Sequence, residues 1–220
     1  MLFQVIFFLV IYLSGCFYYR NDSSGWFVLT KSLSTTNAIC CLLTVLSENV
    51  SEYWDLLAPG NIYLLNGLYA FAAYLFVDGF FLFFTSRNQK NGEKITSLLH
   101  HFVGGLGIYL IAYNQMGLGL GLYFAGTEAS TPFLNIWKLT SKHYNHNRSL
   151  VNFTFVLFAI TFFIARIVTL PVLWYYIYIN TSAIVKLHWF NQLMVYFGSG
   201  TLSILNLIWF VFILNKLTNL

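Results

Sequence analysis

The stretch from 150 to 179 is the part of this sequence that water cannot accommodate. Its only charged residue is Arg166, and it contains the almost unbroken apolar run from Phe153 to Phe163. A helix rising ~1.5 Å per residue over that stretch exceeds the ~30 Å hydrocarbon core of a bilayer. Six further hydrophobic segments cover 2–18, 26–47, 62–85, 95–114, 117–137 and 192–214. The second is the most dilute, because Lys31 and a Ser/Thr/Asn stretch interrupt it. Only 8% of the 220 residues are charged, against about 25% in a soluble domain. With 58% hydrophobic residues and a mean hydropathy of +0.69, too little charge is left to coat a soluble globule. An outer-membrane barrel would need short segments of strict alternation, and these runs are long and continuous. The expectation is an all-α fold, a polytopic transmembrane helical bundle of about seven spans.

The net charge of +4 is a matter of topology and gives no case for nucleic acid. Loops 19–31, 86–94 and 138–149 and the C-terminal tail hold Arg20, Lys31, Arg87, Lys90, Lys94, Lys138, Lys142, Arg148 and Lys216, nine of the 11 basic residues. The opposite loops hold only Lys186, together with Glu48, Glu52 and Asp55. The excess of Lys and Arg in cytosolic loops puts the first end of the chain outside and the last end in the cytosol. Two glycosylation sequons, Asn49-Val50-Ser51 and Asn180-Thr181-Ser182, fall on the outer side. The segment Met1 to Tyr19 lacks a basic n-region and a small-x-small cleavage site, so it reads as a first span or signal anchor. Cys16, Cys40 and Cys41 lie in apolar stretches without metal-ligand spacing and read as buried, inert thiols. Gly117 and Gly121 form a G-x-x-x-G that reads as a close-packing face at a tight hairpin.

Within the spans, ionisable residues are expensive and mark either function or structural pairing. Asp78, Glu128 and Arg166 are such residues, joined by the adjacent His100 and His101. Their helices are consecutive, so their faces can converge on one cavity opening toward the cytosol. Gly104 and Gly107 follow His100 at i+4 and i+7, and Gly105 follows His101 at i+4. These small residues leave room for a ligand or for a neighbouring helix. A His pair can supply a general base, a nucleophile or a metal ligand, or can simply hydrogen-bond neighbouring helices. Zinc would need three or four converging ligands, with only Asp78 and Glu128 as companions, and no metal is expected. Glu128, Thr131 and Asn135 share one helix face at i, i+3 and i+7, and Pro132 frees a carbonyl nearby. Glu128 either serves a site or pairs with Arg166. Pro171 offers a kink point in the sixth span.

Several segments together resemble the TLC-domain family, which includes the ceramide synthases and smaller relatives. They are Tyr74-Leu-Phe-Val-Asp78, Leu99-His100-His101, Glu128-Ala-Ser-Thr131-Pro132-Phe-Leu-Asn135, Phe162-Phe163-Ile-Ala-Arg166 with Pro171, and Leu205-Asn206-Leu207-Ile-Trp209-Phe210. They occur in the family's order over roughly 62–215, which divides the chain into N-terminal transmembrane segments at 1–61 and a TLC-like transmembrane domain at 62–220. The resemblance implies a helical bundle around a lipid-accessible cavity, in the endoplasmic reticulum or, alternatively, the mitochondrial inner membrane. It implies His100, His101 and Asp78 as catalytic candidates, with Glu128, Thr131, Asn135 and Arg166 as the polar lining of a lipid cavity. Acyl-CoA is the implied substrate and no cofactor is expected. The acidic residues that follow the His pair in ceramide synthases do not appear here. The expected partners are membrane lipids, and proteins of a membrane complex. The leading expectation is a protein that binds or modifies lipids; the alternative is a non-catalytic accessory subunit of a larger membrane complex.

Overall fold

A computed structural model describes residues 1–20, 22–85 and 91–219, and all regular structure among them is helical. Helix α1 spans Leu2–Tyr18 and α2 spans Ser23–Ser47, started by the Asp22 side chain, which accepts from the Ser24 N–H at 2.9 Å. A 3-10 turn at Val50–Trp54 leads to α3 at Ile62–Thr85 and α4 at Asn91–Asn114. There follow α5 at Leu118–Thr127, α6 at Thr131–His143, α7 at Arg148–Phe162 and α8 at Leu170–Ile179. The short α9 at Thr181–Ile184 and α10 at Trp189–Leu193 lead to α11 at Ser199–Leu217.

Among the described residues, five helical stretches are long and apolar enough to cross a membrane: Ser23–Ser47, Ile62–Thr85, Gly92–Asn114, Arg148–Ile179 and Trp189–Leu217. The other two of the seven expected spans differ for local reasons. Helix α1 has 17 residues. The segment at 117–137 is broken by a 3-10 turn at Glu128–Ser130, just before Pro132. Large apolar side chains such as Phe3, Leu43, Phe84, Phe153 and Phe212 point outward, the surface of an integral membrane protein whose solvent is lipid.

Helix α3 is the centre of the bundle. Its Leu64, Leu68, Phe71 and Leu75 pack with Ile108 and Ala112 of α4 and with Leu118, Leu122 and Ala125 of α5. The α3–α4 pair is the most extensive, and glycines let its backbones approach. A Cβ added at Gly79 would lie 2.9 Å from the His101 Cβ, and one at Gly105 would lie 3.3 Å from the Phe76 ring.

At the acidic end, the chain between α2 and α3 folds over the bundle. The buried Asn180 donates to the Trp54 and Tyr176 carbonyls at 2.9 and 3.0 Å and accepts from the Leu56 N–H at 3.0 Å. The Leu56 carbonyl takes the Gly117 N–H at 2.7 Å. Glu48 accepts from the Tyr53 hydroxyl at 2.9 Å and from the Asn61 amide. Burial, and then the hydrogen bond to this carboxylate, push the Tyr53 phenol up to about 12. Of the G-x-x-x-G pair, Gly121 packs closely as expected, a Cβ there falling 3.0 Å from Leu68 of α3, but Gly117 does not. Its φ of +70° makes it a left-handed turn before α5, and Gly119 makes the close approach, where a Cβ would fall 2.4 Å from the Tyr53 carbonyl oxygen.

At the basic end, Lys31 and Lys138 lie inside α2 and α6 and not in loops. Arg87 and Lys90 fall outside the described residues. Of the cysteines only Cys41 is buried; Cys16 of α1 is half-buried, and Cys40, on the other face of α2 from Cys41, is exposed.

Candidate functional site

The helix that begins at Arg148 breaks before the proline that was expected to kink it. Pro171 sits in the first turn of α8, where its missing N–H costs nothing. The irregularity is a π-helical segment at Phe163–Val168. Such a segment inserts an extra residue per turn and re-aims the side chains on it. The one it aims inward is Arg166, which is buried and donates from three nitrogens. Nε reaches Ser130 Oγ at 3.0 Å, Nη1 reaches Asn206 Oδ1 at 3.3 Å, and Nη2 reaches Glu128 Oε1 at 3.2 Å. The guanidinium also lies over the Phe162 and Trp209 rings, 5.5 and 5.9 Å from their centroids.

Glu128 sits where the Pro132 break falls. Its backbone carbonyl is not left free, because the Thr131 N–H takes it in a 3-10 bond. The side-chain oxygen Oε2 accepts from Thr131 Oγ1 at 2.5 Å. Thus Glu128 and Arg166 pair, each with additional hydrogen bonds, as a buried ion pair requires. His100 completes the group. Its Nε2 lies 3.7 Å from Glu128 Oε1, and its ring stands edge-on to Trp209 at 5.3 Å.

His101 goes elsewhere. Its Nε2 lies 3.3 Å from Asp78 Oδ2, and the other oxygen of Asp78 accepts from the Tyr12 hydroxyl of α1. The Nδ1 atom of His101 is buried without a hydrogen-bond partner. The expected single cavity is therefore two clusters, because neighbouring residues on a helix are ~100° apart and adjacent histidines face different helices. Among the described residues no three His, Cys, Asp or Glu side chains converge as a metal site would. Asn135 joins neither cluster. Buried at 2% exposure, it donates to the Lys31 carbonyl at 3.2 Å and to Thr35 Oγ1 at 3.0 Å, tying α6 to α2.

An apolar cleft of about 610 Å³, counting its open mouth, runs along α4. Its walls include Val103, Gly104, Gly107, Ile111, Gly198 and Leu202. Gly104 lies one turn beyond His100, and a Cβ on Gly107 would meet nothing within 4 Å. The two uses that small residues beside the histidines could serve are divided between them: Gly105 admits α3, whereas Gly107 opens the cleft. The cleft extends from Val103 and Gly104, one turn beyond His100, to Asn114 and Met116 at the acidic end, not toward the basic end as expected.

Tyr12, Ser130, Asn206 and Trp209 complete the clusters and were not singled out from the sequence as site residues. Asn206 carried a legible signal, a polar residue in the middle of an apolar helix. Tyr12 carried none, since a tyrosine in an apolar segment is ordinary.

No curated protein and no solved structure matches the chain. The sequence model of the TLC domain does, over residues 20–215, taking in α2 as well as the stretch where the quoted motifs lie. This protein is accordingly a member of the TLC-domain family, a membrane lipid-associated family.

Proposed function

We propose that the protein binds or modifies membrane lipids by seating an acyl chain in the cleft along α4, with the polar end of the lipid at His100. The observation that carries this reading is the position of the cleft. It is apolar along its length and begins one helical turn from the His100–Glu128–Arg166 cluster, the arrangement of a pocket with few, placed polar groups.

His100 also suits proton transfer, which favours the modifying form of the function. In acyl transfer from acyl-CoA, the acceptor's N–H or O–H would give its proton to the imidazole as the acceptor bonds the thioester carbonyl carbon. The carbon–sulfur bond then breaks, and the departing thiolate takes the proton back. Glu128 would hold the imidazole and balance its transient charge, and Arg166 would keep Glu128 ionised. His101 and Asp78 act from behind, fixing α4 against α1 and α3. No observation favours the accessory-subunit reading in the same way, because Glu48, Glu52 and Asp55 of the acidic loop accept hydrogen bonds from within their own segment or the start of α3. Membership of the family supports the endoplasmic reticulum as the membrane; cell fractionation separates this from the mitochondrial inner membrane.

The test is mass spectrometry of lipid carried through purification, together with acyl-CoA turnover. Wild-type protein should retain a chain-bearing lipid, Gly107→Phe should lose it, and His100→Ala should keep the lipid while losing turnover. Wild-type protein with an empty cleft overturns the reading, and undiminished turnover in His100→Ala removes the catalytic form of it.

A further inference from the structure

Six serines and threonines are buried among the described residues: Thr127, Ser130, Thr131, Thr154, Ser199 and Ser203. Five of them donate a hydrogen bond. Thr127, Ser130, Thr154 and Ser203 bond back to carbonyls three or four residues earlier in the chain, and Thr131 bonds to Glu128. Ser199 is the exception. It is 2% exposed, yet its hydroxyl makes no hydrogen bond within the described residues. Its own helix offers the Val195 and Tyr196 carbonyls, which take the Ser199 N–H, and the hydroxyl uses neither.

A buried polar group without a partner costs stability, so each one needs a reason. The reason lies in where Ser199 stands. It is part of the wall of the cleft along α4. It directly follows Gly198, where a Cβ would lie 3.9 Å from the Val103 side chain. Val103 is three residues beyond His100, roughly 4.5 Å along α4. Ser199 therefore borders the end of the cleft nearest His100. The other hydrogen-bonding side chains of the wall, Asn114 and Asn191, stand at the opposite, acidic end. There Asn114 donates to the Leu110 carbonyl at 2.9 Å and to Asn191 Oδ1 at 3.5 Å. Between the two ends the wall is made of apolar side chains and glycines.

A ligand in this cleft thus meets one unpaired donor, at the point where the polar surroundings of His100 give way to apolar ones. An acyl lipid carries an acceptor at that same boundary, the carbonyl from which its chain starts. We propose that the Ser199 hydroxyl donates to the acyl carbonyl oxygen of the bound lipid, so that the cleft selects chains joined through an ester, thioester or amide over alkyl ethers of the same length. This rests on the reading of the cleft given above and adds to it a contact residue and a ligand class. A serine kept only for its small size would be replaced by alanine without consequence.

The experiment gives full-length protein, in dodecyl maltoside, a detergent without a carbonyl, equal amounts of four chain-matched probes: methyl stearate, S-methyl thiostearate, N-methylstearamide and octadecyl methyl ether. Mass spectrometry counts the probes recovered with the protein after gel filtration. Wild-type protein should hold at least one carbonyl probe about threefold to tenfold over the ether, the value of one neutral hydrogen bond. The carbonyl probe held best names the linkage. Ser199→Ala should bring that ratio to about one without lowering thermal stability, since no hydrogen bond inside the protein is lost. Ser199→Cys, of similar size and a weaker donor, should fall between the two, and it covers the case in which the alanine variant does not fold. Ser203→Ala, which removes a hydroxyl already engaged with the Ser199 carbonyl, should keep the wild-type ratio. Two results overturn the proposal alone: equal recovery of carbonyl and ether probes by wild-type protein, or a wild-type ratio in Ser199→Ala. Recovery of no probe at all overturns it together with the reading of the cleft.

Discussion

His100 and His101 are neighbours in the chain, yet they belong to regions built on different principles. The His101 region is regular. Three unbroken helices, α1, α3 and α4, meet there, with Gly79 allowing the approach and the Tyr12–Asp78–His101 chain crossing all three. The His100 region is irregular. Glu128 stands on a 3-10 turn, Arg166 on a π segment, and the cleft opens beside them. Regular helices give the tightest packing, whereas local breaks aim polar groups at a chosen point and leave space next to it. The pair thus separates a packed anchor from a polar cluster that borders open space.

The sharpest way to break that division is to remove Arg166. Arg166→Met leaves Glu128 buried without its cation, and stability should fall by about 3–5 kcal/mol, read as thermal unfolding in detergent. Adding Glu128→Gln should recover much of the loss, and a fully additive double variant would show that the two do not act as a pair. Next come the glycines. Gly79→Ala drives a Cβ into the His101 Cβ and should cost about 1–3 kcal/mol, as overpacking does. Gly107→Ala should leave stability nearly unchanged, since open space receives its methyl group; equal losses at both positions would erase the contrast between the two faces of α4. A smaller loss, about 1 kcal/mol, is expected for Tyr12→Phe, with lipid retention unaffected, because it removes one hydrogen bond from the anchoring cluster alone.

The smallest effect concerns the acidic end, which belongs to neither cluster. The fold raises the Tyr53 phenol above the ordinary tyrosine value of about 10, so it favours the neutral form. The resulting stability is fully present below about pH 10 and is lost as the pH climbs toward 12. Thermal unfolding of wild-type protein should therefore weaken across that window by more than that of Tyr53→Phe. Parallel pH profiles for the two proteins would dismiss the assignment.

The helices were legible because a bilayer imposes both length and polarity on whatever crosses it. The edges of 62–85 coincide with those of α3, and Arg166 and Glu128 stood out as charges that needed an explanation. What could not be read was backbone irregularity. Pro171 drew attention as a kink, but π geometry has no sequence signature, and the break lies upstream around Arg166. Asn135 shared a helical face with Glu128 by spacing, yet the intervening 3-10 turn and the proximity of α2 took it to Lys31 and Thr35. The direction of the cleft was hidden as well. The depth of His100 was readable, but which end of α4 stays uncovered depends on how α10 and α11 pack.

Asn180 has one more consequence. Both ends of its amide are occupied by the backbone of the segment that closes the acidic end and by its own helix. A sugar attached there while the chain was being inserted would block the last step of that closure. The Asn180-Thr181-Ser182 sequon is therefore incompatible with the finished fold when it is used. Asn49, which is exposed on the same side, is the sequon this fold can carry with a glycan in place.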